Sequence, residues 1–152
     1  VKRFDARLQH TSNILTIGTG LAYAWAKYFA PAANAYSSVS AWEPSTHVAH
    51  VLVVPLLVYA CGYIWRNHVI PMWHKLGSRP KSQAASGLGL ILVLLPMIAT
   101  GYLIQVTVEE NWRKAWVVVH LVTSSVWIIS YGIHFLMRNR QLSFEETVIL
   151  RD

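Results

Sequence analysis

Cysteine is almost missing from this chain. Cys61 is the single one, which excludes an internal disulfide scaffold and the Cys-x-x-Cys-His motif of covalent haem attachment. Charge is scarce as well. Asp, Glu, Lys and Arg make up 13% of the 152 residues, about half the roughly 25% of an ordinary soluble domain. None of these four residue types occurs in the stretches 46–65, 84–108 and 115–137. A disordered tail and a typical cytosolic enzyme are poor fits to that composition. Strict apolar–polar alternation is also lacking, and the apolar runs are too long for the staves of a membrane β-barrel.

What fills the space is apolar and aromatic. Hydrophobic residues reach 54%, with seven Trp and seven Tyr, amphipathic rings that collect at membrane interfaces. The net charge of +6 does not read as a nucleic-acid footprint, because that needs basic residues clustered on one soluble face. Here long apolar runs separate them, so no nucleic-acid partner is expected. Membrane lipid is.

A hydrocarbon core about 30 Å thick takes about 20 apolar residues of helix to cross. Four stretches qualify: Gln9–Ala30, Thr46–Trp65, Ala84–Val108 and Ala115–Met137. Lys27 lies near the end of the first, where it can snorkel. Pro44 falls in the first turn of the second span, where its missing N–H costs nothing. Pro31 closes the first span, and Gly77–Ser82 and Glu109–Asn111 break the others. Pro55 and Pro96 sit inside spans, which predicts local kinks. Basic residues set direction. Lys2, Arg3 and Arg7, then Arg66, Lys75, Arg79 and Lys81, then Arg138, Arg140 and Arg151 fall on one side, against Lys27, Arg113 and Lys114 on the other. The expectation is an all-α, integral membrane four-helix bundle over residues 1–152, a single domain with both termini cytoplasmic. The length of the first run and its Ala30-Pro31 context argue against a cleaved signal peptide.

The histidines carry the chemistry. Ionisable side chains at membrane depth are costly and are functional suspects by default. His120 and His134 stand 14 residues apart on one span, which at 3.6 residues per turn puts both on nearly one face, about 21 Å apart along the axis. That spacing suits two haems stacked across the membrane, each taking one neutral imidazole from this helix. Each then needs a second histidine at matching depth. His10 opens the first span on the side where His134 lies, and His50 is about as deep in the second span as His120 is in the fourth. The expected iron ligands are His10 with His134 and His50 with His120. His47 is an alternative to His50, and His68 an alternative to His10. Against this stands the reading that each His hydrogen-bonds a backbone carbonyl of a neighbouring helix.

Several other residues admit two readings. Gly18, Gly20, Gly62, Gly89, Gly101 and Gly132 let either helices or a flat porphyrin approach closely. Arg3, Arg7 and Arg113 are placed to meet haem propionates, although interfacial anchoring alone explains them. Cys61 reads as a buried small hydrophobe, and His74 as a loop residue.

The sequence resembles the four-helix dihaem cytochrome b subunits of formate dehydrogenases, nickel–iron hydrogenases and related quinone-linked complexes. The resemblance rests on Val1-Lys-Arg-Phe-Asp-Ala-Arg-Leu-Gln-His10, on Ala99-Thr-Gly-Tyr-Leu103, and on the stretch from Val119-His120 to Ile133-His134-Phe135. Thr11 departs from the aromatic residue that commonly follows the first-span ligand. The resemblance implies the same four ligands, two haems b, a quinone site near the cytoplasmic-side haem and an outer-face redox partner, an iron–sulfur protein or a cytochrome. It also implies a bacterial or archaeal cytoplasmic membrane. Polar groups suited to a quinone headgroup concentrate on the cytoplasmic side, at Arg66, Asn67, His68 and His74. Glu43, Glu109, Glu110 and Asn111 lie on the other and could serve docking. The expected function is an electron conduit between that partner and the quinone pool, with quinone oxidation or reduction the only chemistry in this chain. The competing readings are a haem-free membrane anchor and a small transporter with a His proton relay.

Overall fold

The computed structural model describes residues 3–74 and 81–149, with side chains for 3–74 and 84–137. Every regular element among these residues is helical. They are α1 (Arg3–Tyr28), α2 (Glu43–Ile64), a π-helical turn (Trp65–Val69), α3 (Ile70–His74), α4 (Lys81–Val106) and α5 (Glu110–Ile149). Three helical stretches are long and apolar enough to cross a membrane: Glu43–His74, Ala84–Val106 and Glu110–Met137. The expected first span is also helical, but Gln9, Thr11, Ser12, Asn13, Thr16 and Thr19 keep it less apolar than the other three.

The chain divides into two compact units, Val1–Lys75 and Leu76–Asp152. The first is an antiparallel hairpin of α1 and α2. Gln9 Nε2 donates to Cys61 Sγ at 3.5 Å, Thr19 meets His50, the rings of Tyr23 and His47 pack together, and Lys27 pairs with Glu43. These contacts form one descending ladder. The second unit is a hairpin of α4 and α5, in which Ser86 meets His134 and Thr100 meets His120.

Polarity inside these hairpins is inverted relative to a soluble protein. Ser12 and Asn13 are wholly buried and Asp5 is nearly so, while Leu92, Leu95, Val118 and Ile129 are more than 60% exposed. Large exposed apolar faces are unstable in water, and in lipid the tails are as apolar as Leu, so small and polar residues gather between helices. On α1 the buried polar face (Asp5, Ser12, Asn13) lies opposite exposed Ile14, Leu21 and Trp25. Two of the buried polar side chains bond within their own helix: Ser12 Oγ and Asn13 Nδ2 both donate to the Gln9 carbonyl, at 3.0 and 2.8 Å.

The helix ends depart from expectation in three places. The helix that holds the second expected span does not stop at Trp65. It runs on through the π turn to His74, so His74 is helical rather than a loop residue. Pro71 supplies the reason, since proline has no N–H and its ring crowds the carbonyl four residues back. The ladder just before it widens, and Ile70 N–H bonds the Trp65 carbonyl five residues away. The break between the last two helices is Thr107–Glu109 rather than Glu109–Asn111. There the Glu109 carboxylate accepts the N–H groups of Asn111 and Trp112 at 2.9 and 2.8 Å, capping the orphan donors of α5. Finally, α5 continues past Met137 to Ile149. Pro44 stands in the first turn of α2 as expected. Of the basic residues that set direction, Lys2, Lys75, Arg79 and Arg151 lie outside the described residues, as do Gly77–Pro80 of the expected loop. The side chains of Lys81, Arg138 and Arg140 do too.

Candidate functional site

His50 projects from α2 toward α1. Its Nδ1 lies 3.2 Å from Thr19 Oγ1, and its ring rests on the next residue, Gly20, where an added Cβ would come within 3.0 Å of Cε1. Thr19 is held in turn by its own helix: its hydroxyl donates to the Leu15 carbonyl at 2.8 Å. A hydroxyl has one hydrogen and two acceptor lone pairs. With the hydrogen on Leu15, the oxygen is an acceptor toward His50, which favours the imidazole proton on Nδ1.

The second hairpin repeats the arrangement. His120 Nδ1 lies 3.0 Å from the Met97 carbonyl and 3.3 Å from Thr100 Oγ1. The carbonyl can only accept, and the Thr100 hydrogen is directed to the Pro96 carbonyl at 2.6 Å, so Nδ1 is again the donor. Gly101 follows Thr100, and a Cβ there would sit 3.3 Å from His120 Cε1. Fourteen residues along α5, His134 Nδ1 lies 3.3 Å from Ser86 Oγ, with Gly87 beside its ring. Hydroxyl–glycine pairs at Ser86-Gly87 and Thr100-Gly101 thus stand 14 apart on α4, opposite two histidines 14 apart on α5. Sequence reasoning passed over Ser86, Gly87, Thr19 and Thr100 as partners of these histidines. The matching 14-residue spacing on two antiparallel helices is the signal that could have found them.

The remaining candidates sit differently. His47 stacks on Tyr23, with ring centroids 5.0 Å apart and planes tilted by 38°. His10 is half-buried on α1 next to Gln9, and His68 is half-buried in the π turn, where Arg66 and Asn67 are exposed. Cys61 is buried, as a small hydrophobe would be. Arg3, Arg7 and Arg113 are exposed. The acids expected at the other side have local partners. Glu43 pairs with Lys27 at 3.5 Å, Glu110 pairs with Lys114 at 2.8 Å, and Glu109 caps α5. Backbone donors hold the Glu109 carboxyl below the usual carboxylate range.

An imidazole protonated on Nδ1 carries its lone pair on Nε2, which is the form that binds a metal through that nitrogen, with the Nδ1 partner setting ring orientation. The Nδ1 partners of His50 and His120 suit that form. Among the described residues no group of three or more His, Cys, Asp or Glu gathers at one place. Compared with protein-family models, curated proteins and solved structures, the chain matches none.

Proposed function

We propose that the chain is a membrane-anchored, dihaem b-type electron-transfer subunit. It crosses a bacterial or archaeal cytoplasmic membrane four times, as a four-helix bundle with both termini inside. His10 with His134, and His50 with His120, hold the two irons. When bound, haem b supplies reversible one-electron chemistry. The protein binds and orients it through imidazole nitrogens and, through burial and hydrogen bonds to those ligands, tunes it. Electrons pass between an outer-face redox partner, an iron–sulfur protein or a cytochrome, and the quinone pool on the cytoplasmic side.

The observation that carries this reading is the doubled 14-residue spacing, with His120 and His134 on α5 facing Thr100 and Ser86 on α4. A histidine that merely satisfies a neighbouring backbone has no need of a second one four turns along the same face. The glycines beneath these rings leave room that a side chain would fill, which suits a ring plane held between helices. His50 fits the second-span ligand better than His47, because Thr19 and Gly20 hold it as Thr100 and Gly101 hold His120. α1 is the least apolar of the four, but its exposed face of Ile14, Leu21 and Trp25 is compatible with lipid.

The test is a reduced-minus-oxidised visible spectrum of the purified full chain, with acid-acetone extraction. A b-type α-band and two extractable haems per chain are expected. A colourless, folded protein would overturn the reading in favour of a haem-free anchor.

A further inference from the structure

Three histidines from two hairpins share one local design. Each ring reaches across to a neighbouring helix, places Nδ1 within 3.2–3.3 Å of a hydroxyl, and rests beside the glycine that follows that hydroxyl. The helices differ, but the local sequences agree, Ile17-Gly-Thr-Gly20 on α1 and Ile98-Ala-Thr-Gly101 on α4. The hydroxyl, the glycine and the ring recur together.

We propose that Thr19, Ser86 and Thr100 are positioning residues. They hold Nδ1 of His50, His134 and His120, with Thr19 and Thr100 acting as acceptors of the Nδ1 proton so that the lone pair lies on Nε2, and Gly20 and Gly101 leave the His50 and His120 rings the space a Cβ would take. This rests on the haem reading above and deepens it by assigning the groups that control ligand strength. The chemistry follows from proton accounting. Thr19 and Thr100 each give their hydroxyl hydrogen to a carbonyl four residues back, Leu15 and Pro96, and so act toward the imidazole as acceptors. An acceptor on Nδ1–H makes the imidazole a stronger donor through Nε2 and stabilises the ferric form. Both are buried or half-buried, Thr100 at 4% exposure, so water does not compete freely for the imidazole proton. The Met97 carbonyl backs Thr100 at His120, which makes Thr19 the more sensitive of the two to replacement.

The ligand pairing adds a discriminating consequence. Under the proposed pairing of His50 with His120, Thr19 and Thr100 act on the same haem and Ser86 on the other.

The test uses the full chain with Thr19→Val, Thr100→Val and Ser86→Ala, and with Thr19→Ser and Thr100→Ser as conservative controls. Redox titration should show one midpoint potential raised by both Thr→Val changes and the other raised by Ser86→Ala, with the Ser controls close to wild type. Haem retention at the affected site should fall by about tenfold or more. NMR of 15N-labelled histidine in the reduced full chain should report the proton on Nδ1 of His50, with that signal altered by Thr19→Val and restored by Thr19→Ser. Unchanged potentials together with an unchanged His50 signal would overturn the positioning role while leaving the cytochrome reading intact. Thr19→Val and Thr100→Val moving different haems would uphold the positioning role and overturn the pairing of His50 with His120. A wild type without haem would overturn the cytochrome reading, and the NMR arm would still decide the proton position: a proton on Nε2 overturns the lock.

Discussion

Tyr23 lays its ring against His47 at a centroid separation of 5.0 Å, one turn of α2 nearer the loop than His50. The same Tyr23 hydroxyl accepts from Lys27 Nζ at 3.2 Å, and Lys27 also pairs with Glu43. His47 is thus tied into a cluster at the loop end of the first hairpin, whereas His50 is held by Thr19 beside Gly20. Replacing His50 by Ala is expected to remove one of the two haems, and replacing His47 by Ala to keep both. Haem content per chain measures the difference. Loss of haem on replacing His47 alone would move the ligand one turn outward.

The glycines separate into two groups. A Cβ at Gly20 would come within 3.0 Å of the His50 ring, and one at Gly101 within 3.3 Å of His120, while Gly18 and Gly132 have nothing within 4 Å. Gly20→Ala should push the His50 ring from its place at a cost of about 1–3 kcal/mol, the usual range for overpacking. Gly18→Ala and Gly132→Ala should be neutral or stabilising by about 0.5–1 kcal/mol, since Gly is a poor helix former. Thermal unfolding in detergent measures both. Equal effects at Gly18 and Gly20 would show that the close approach to His50 is unimportant.

Glu109 predicts a pH dependence with a definite sign. The backbone N–H groups of Trp112 and Asn111 favour its charged form and lower its pKa. Its contribution is therefore fully present above the ordinary carboxylate range and is lost as the pH falls through the lowered value. Glu109→Ala should lower the protection factors of the Asn111 and Trp112 amides at neutral pH, and acidification should do the same to the wild type once the slower intrinsic exchange at low pH is divided out. Exchange at these two amides that ignores both changes would remove the cap from the account.

Topology is testable with the native thiol buried. In a Cys61→Ala background, cysteines placed at Ser38 and at Gly77 should react with an impermeant thiol reagent from opposite sides, the second from the cytoplasm. Labelling of both from one side would break the four-span arrangement and the depth matching of the ligands with it.

Quinone exchange is expected on the cytoplasmic side, where Arg66, Asn67 and His68 stand on the π turn at the depth assigned to His10 and His134. A quinone-site inhibitor should shift the spectrum or potential of the haem lost in His134→Ala and leave the haem lost in His120→Ala unchanged. The opposite response would place the site on the outer face.

Much of the helical layout was legible from residue order. Long stretches without charge mark α2, α4 and the first part of α5, because an uncompensated charge in hydrocarbon is costly. Pro44 marks the first turn of α2, since only there is its missing N–H harmless. The 14-residue interval of His120 and His134 places both on one face by helix geometry alone. His74 was read as a loop residue, yet the helix that holds the second expected span continues to it. Pro71 permits the helix to continue once the ladder widens to a π turn. α1 was read as a fourth apolar run, yet its Ser, Asn, Thr and Gln residues make it a helix with one polar, buried face.

The partners of the histidines are a different matter. Helical periodicity determines which side chains share a face of one helix, and the apolar runs determine which segments can lie in lipid. Neither says which residue of a second helix stands opposite His50. That depends on the antiparallel register of each hairpin, set by how α1 packs on α2 and α4 on α5. A slide of one turn would carry Thr19 and Gly20 away from the ring of His50 toward His47. Tertiary packing therefore decides that a hydroxyl and a glycine meet each imidazole, because a hydrogen bond at about 3 Å tolerates almost no displacement.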